Sequence, residues 1–159
     1  MRFEHPAILY QLLVLVSGNE NSTDVREEVQ IFKGPGQSTP WTLWYRFPTS
    51  GDPGRVTYTV AALEGDAMEQ VLITSLTPGT GGYLSYRLIG ADNGKPVTLL
   101  SGEALSKGGA KIVGQTIETR EAIYAPGEPN CCPSKVEVTV YGWNGKAFVV
   151  QRKERVPNQ

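Results

Sequence analysis

The chain has 159 residues, enough for one domain that buries its own core without help from a metal or a disulfide. Its 15 basic and 16 acidic residues nearly cancel, and the short run Arg152-Lys153-Glu154-Arg155 mixes both signs, so the sequence lacks the concentrated basic face that nucleic acid requires. The 18 glycines and 11 prolines fall between apolar runs, the punctuation of many short strands.

Residues 6–16 form a mostly apolar run with Arg2 before it and Ser17-Gly18-Asn19 after it. This is the length of a signal-peptide core and too short to span a bilayer, so no transmembrane span is expected. Two readings compete. The run is an export leader with small residues at its end, although Glu4 offsets Arg2, or it is a core helix opened by Pro6. Asn21-Ser22-Thr23 fits a glycosylation sequon, a pattern short enough to recur by chance. Asp24-Val25-Arg26-Glu27 has capping-box spacing for a short helix to about Ile31, while Val29 and Ile31 alternating with Glu28 and Gln30 support a strand almost as well. Gly34-Pro35-Gly36 then breaks the chain.

From residue 41 the pattern is β throughout. Segment 41–47 is aromatic-rich and ended by Pro48, and 55–60 alternates Val56, Tyr58 and Val60 against Arg55, Thr57 and Thr59, predicting one buried face. Segments 69–76 and 83–89 follow, separated by a Gly-rich stretch. Asn93-Gly94 and Asn144-Gly145 each sit between apolar runs and predict type I′ hairpins, joining 83–89 to 96–100 and 135–141 to 147–152. Segment 112–124 supplies another strand or a bent pair. The expected fold is mainly β, with a β-rich α+β fold as the alternative: an antiparallel meander, sandwich or open barrel with one or two short N-terminal helices. An N-terminal extension, 1–40, precedes a β domain, 41–159.

Cys131 and Cys132 are adjacent and are the only cysteines. Disulfides prefer Cα atoms about 4.4 to 6.8 Å apart, whereas neighbours across a trans peptide sit near 3.8 Å, so a bridge between them is strained and easily reduced. A vicinal ring, two free thiols and a bridge to another chain all remain open. A redox role wants electropositive surroundings, and the nearest charges in sequence, Glu128 and Lys135, cancel. Zinc wants four nitrogen or sulfur ligands and nucleophilic catalysis wants a base, but the one histidine is His5. The plainer alternative is a rigid turn restrained by Pro126, Pro129 and Pro133.

Glu64, Asp66 and Glu69 outline a calcium loop, and equally a solvated turn. Trp41, Trp44 and Trp143 are candidates for a sugar or peptide platform, with Tyr45, Phe47 and Tyr141 beside them, although strand aromatics belong more often to a core. No Ser-His-Asp set, HExxH or phosphate loop occurs; Gly79-Thr80-Gly81-Gly82 lacks the Lys-Ser/Thr that a phosphate cradle needs. An enzyme is not expected, nor a cofactor.

Residues 55–152 resemble the LppP/LprE type of bacterial exported lipoprotein domain. The resemblance runs through the turn at 62–70, the Gly-Thr-Gly turn at 79–83, the Asn-Gly-Lys-Pro hairpin at 93–96, the Cys-Cys-Pro-Ser motif within 127–134, and Trp143 to Gly145. Ala62 and Glu64 stand where that pattern has aspartates, Ala67 where it has glycine and Gln70 where it has glutamate, which weakens a calcium role. Leu15-Val16-Ser17-Gly18 resembles the approach to a lipidation site, but Asn19 stands where a cysteine is required, so lipid anchoring does not carry over. The family has no established activity. The resemblance implies an extracytoplasmic β-rich domain marked by a paired-cysteine loop. The expected function is therefore a non-enzymatic interaction or structural module of the cell envelope with a protein partner; the rivals are a thiol redox protein and a carbohydrate or peptide binder.

Overall fold

Apolar residues at every second position, broken by Gly, Pro and Asn, cannot line one side of a helix but line one side of a strand. The computed structural model describes residues 9–17, 26–34, 40–49, 55–65, 69–77 and 80–158, and these contain eleven strands and no helix. All pairings are antiparallel. Among the described residues no helix is long and apolar enough to cross a membrane. The chain divides into two compact units, Met1–Pro53 and Gly54–Gln159. Trp41 and Trp44, which the sequence reading assigned to the β domain, thus belong with the first unit.

The first unit is a meander of β1 (Leu9–Ser17), β2 (Arg26–Gly34) and β3 (Thr42–Thr49). Of the two segments for which a helix was one reading, the described parts, Leu9–Ser17 and Arg26–Gly34, are strands. β1 and β2 pair without a break from Leu9↔Gly34 to Ser17↔Arg26, so the backbone groups a helix would satisfy locally are satisfied across the ladder. On β2 the period-two alternation prevails over the capping-box spacing, and Val29 and Ile31 are buried. His5, Pro6, the sequon and Asp24 lie outside the described residues. The β2–β3 register slips between Ile31↔Tyr45 and Phe32↔Leu43, making Trp44 the extra residue of a bulge. Trp41 packs against Gly34, where an added Cβ would stand 3.0 Å from the indole.

The second unit stacks two four-stranded meanders. One has the order β4-β5-β6-β7, with β4 (Arg55–Ala61), β5 (Gln70–Leu76), β6 (Tyr83–Asp92) and β7 (Lys95–Ser106). The other has the order β11-β10-β9-β8, with β8 (Gly109–Val113), β9 (Thr116–Ile123), β10 (Lys135–Trp143) and β11 (Phe148–Pro157). Leu72, Leu84, Tyr86 and Leu88 of the first sheet meet Ile117 and Phe148 of the second around Leu63, with Ile112, Tyr141 and Trp143 packed at the margin. Two sheets sharing one core make a β-sandwich. Tyr86 also shares a hydrogen bond with Tyr141 across the sheets.

The β6–β7 hairpin is the two-residue turn expected, with φ of 49° at Asn93 and 76° at Gly94. The β10–β11 pair forms as expected, but its turn is longer. Trp143↔Phe148 closes a loop of residues 144–147 in which the Asn144 Oδ1 accepts from the Lys146 and Ala147 N–H groups, each at 2.9 Å. That side-chain cap replaces the positive φ a type I′ turn would demand of Asn144. Segment 112–124 belongs to the bent pair β8–β9.

One expected buried face is open instead. Tyr58 is 58% exposed and Val60 44%. β4 is an end strand, and its register sets Thr59 against Leu72 and Tyr58 against Ile73, so the Tyr58 row lies on the face away from the shared core.

Candidate functional site

The loop between β9 and β10, residues 124–134, is organised by one carboxylate. The Glu128 N–H donates to the Ala125 carbonyl at 3.1 Å, in a turn that Gly127 completes at φ 85°. Glu128 Oε2 then accepts from the Ala125 N–H at 2.9 Å and the Ser134 N–H at 3.1 Å, tying the two ends of the loop together. Hydrogen bonding from the Ser134 side chain, then from the Ala125 and Ser134 backbone, holds the Glu128 carboxyl below the ordinary carboxylate range.

The C-terminal flank is fastened again from β11. The Asn158 N–H donates to the Ser134 carbonyl at 2.9 Å and its Nδ2 to the Pro133 carbonyl at 3.0 Å, while Pro133 is buried. An open concavity of about 350 Å³ lined by Arg120, Val156, Pro157 and Asn158 lies beside this anchor.

At the tip, Cys131 and Cys132 are joined in a disulfide with Cα atoms 3.8 Å apart. Of the three states left open by the sequence, the vicinal ring is the one formed. Both cysteines are exposed. The Cys132 N–H donates to the Pro129 carbonyl at 3.0 Å, and the Tyr124 hydroxyl donates to the Asn130 carbonyl at 3.0 Å.

Two other loops reach this tip through a single acceptor. The Thr80 carbonyl, between β5 and β6, accepts from Lys107 Nζ at 3.1 Å and from Asn130 Nδ2 at 3.4 Å. Because both donors share one oxygen, the ammonium stands within two hydrogen-bond lengths of the side chain preceding Cys131. Lys107 is held there by its own N–H on the Gly81 carbonyl at 3.4 Å, with φ of 43° in the turn between β7 and β8. Sequence proximity gave only Glu128 and Lys135 as neighbouring charges. The fold brings up Lys107 and commits Glu128 to backbone groups.

The other predicted residues go elsewhere. Glu64 is half-buried and Glu69 exposed beside the β4–β5 connection; Asp66 lies outside the described residues. Among the described residues no three His, Cys, Asp or Glu side chains cluster closely enough to hold a metal. Gln70 is a structural brace, its buried Oε1 accepting the Leu63 N–H at 2.6 Å. Trp143 packs on Phe148 at 5.3 Å between ring centroids, half-buried at the core margin. Trp41 and Trp44 are half-buried in the first unit.

Sequence reasoning identified the cysteines but missed Glu128 as the loop's organiser and Thr80, Lys107, Asn130 and Asn158 as its supports. The glutamate between two prolines was a signal available for the first; the rest are contacts between loops far apart in the chain. Comparison with known proteins finds no matching family model, no matching curated protein and no matching solved structure.

Proposed function

We propose that this protein is a non-enzymatic, extracytoplasmic module that works by contact, presenting the disulfide tip of loop 124–134 to a protein partner in an assembly of the cell envelope. The observation that carries the reading is a closed Cys131–Cys132 ring, exposed to solvent on a loop pinned at both ends. Exposed disulfides persist in oxidising compartments and are rare where glutathione and thioredoxin act. A pinned loop also has little conformational freedom left to lose on contact, which favours recognition. The resemblance through residues 127–134 points to the same compartment.

Thiol trapping tests the compartment. Cells making the full chain are treated with a membrane-permeant alkylating agent and then fractionated. The expected result is a chain outside the cytoplasm whose cysteines react only after a reductant is added; a cytoplasmic chain alkylated at both cysteines overturns the reading. A photo-crosslinking residue at Pro129 tests the contact against a control at Arg152. A discrete protein adduct from Pro129 alone supports it, and no adduct, or the same adduct from both positions, refutes it.

A further inference from the structure

We propose that Cys131–Cys132 is a reversible exchange site for dithiol reductants, and that Lys107, brought to the loop through the Thr80 carbonyl, stabilises the thiolate that departs. Three observations lead there. Both cysteines are exposed, so a reductant's thiolate can approach the sulfurs. The loop's flanks are fastened without the disulfide, by Glu128 on Ala125 and Ser134 and by Asn158 on Pro133 and Ser134, so opening the ring frees the tip and nothing beneath it. The Lys107 ammonium shares its acceptor with Asn130, the residue before Cys131.

The chemistry closes without a further reactant. A thiolate of the dithiol attacks one sulfur of the pair, the Cys131–Cys132 bond breaks, and the other cysteine leaves as a thiolate that takes up a proton. The reductant's second thiol then attacks its own sulfur of the mixed disulfide, releasing the second cysteine and closing the reductant's disulfide. Two electrons and two protons have passed to the pair. A leaving thiolate departs faster as its pKa falls, and a nearby ammonium lowers it. A ring between neighbours also closes almost no chain, so opening it surrenders little of the constraint that makes ordinary disulfides stabilising.

The test uses the purified full chain in buffers of graded reduced-to-oxidised dithiothreitol ratio, quenched with acid, alkylated and weighed intact, with circular dichroism in parallel. The disulfide form is expected to convert fully to a doubly alkylated dithiol form, to re-close when the reduced dithiothreitol is exchanged for an excess of its oxidised form, which takes up the two electrons, and to keep its β signal throughout. Lys107→Gln should slow reduction about three- to tenfold at neutral pH and low salt, the effect of withdrawing one nearby cation from the leaving group, and Lys107→Arg should restore the rate. Alkylation only in denaturant, or loss of the β signal in step with reduction, overturns the exchange site. Equal rates in the native protein and Lys107→Gln overturn the role of Lys107. The measurement is independent of where the chain resides and what it contacts, so it fails or succeeds separately from the proposed function.

Discussion

Gln70→Leu should destabilise the second unit although it places an apolar residue of similar bulk in a buried site. Gln70 is 1% exposed, and its Oε1 accepts the N–H of Leu63, itself 2% exposed and part of the shared core. Leucine fills the space but removes the acceptor, leaving a buried N–H unpaired at a cost of about 1–3 kcal/mol. The carboxamide no longer needs to be desolvated, which offsets part of that cost and leaves a net loss of about 1.5–2 kcal/mol. At roughly 4 °C per kcal/mol for a unit of this size, the melting midpoint should fall by about 6–8 °C. Calorimetry gives that shift, and urea denaturation should show a lower midpoint with unchanged slope. A midpoint within about 1 °C of the native value, or above it, would refute the claim that this hydrogen bond holds the β4–β5 connection.

Tyr86→Phe removes the inter-sheet hydrogen bond to Tyr141 and should cost about 1 kcal/mol by urea denaturation. In the native protein, burial first and that bond second push the Tyr86 hydroxyl up, so spectrophotometric titration should leave one phenol protonated through the ordinary tyrosine range. Gly102→Ala places a Cβ 2.9 Å from Cζ of the Tyr86 ring and should destabilise by about 1–3 kcal/mol; an unchanged midpoint would mean the ring moves freely. Because Glu128 is held below its ordinary value in the fold, its contribution is present above the unfolded carboxylate range and lost as pH falls through the lowered value. Glu128→Gln should therefore flatten the acid limb of a pH–stability profile, and an unaltered limb would contradict it. Replacing both cysteines with serine should leave the sandwich folded at a cost of no more than a few kcal/mol by thermal denaturation, whereas an unfolded double variant would show that the loop belongs to the core.

The sequence revealed the antiparallel β class and both Asn-Gly hairpins, because period-two alternation and turn residues are local properties of the chain. It did not show β1 as a strand because a short apolar run fits a helix and a strand alike, and the ladder with β2 makes the difference between those two. The Val56, Tyr58 and Val60 row looked buried because alternation marks two faces without saying which one meets another sheet. At the candidate site the cysteines were conspicuous while their setting was hidden. Lys107 is linked to Asn130, the residue before them, by way of a carbonyl on a third loop, and backbone acceptors leave no trace in side-chain chemistry.

The Thr80 carbonyl sets a joint limit on how this protein can vary. An oxygen that serves donors from two other loops fixes the lengths of three connections against one another, so a residue inserted into any of them displaces a shared joint. The loop cluster should consequently vary as a block with its spacing conserved, whereas the turn at 144–147, which fastens only to itself, is the place to lengthen the chain or attach a probe without disturbing the disulfide.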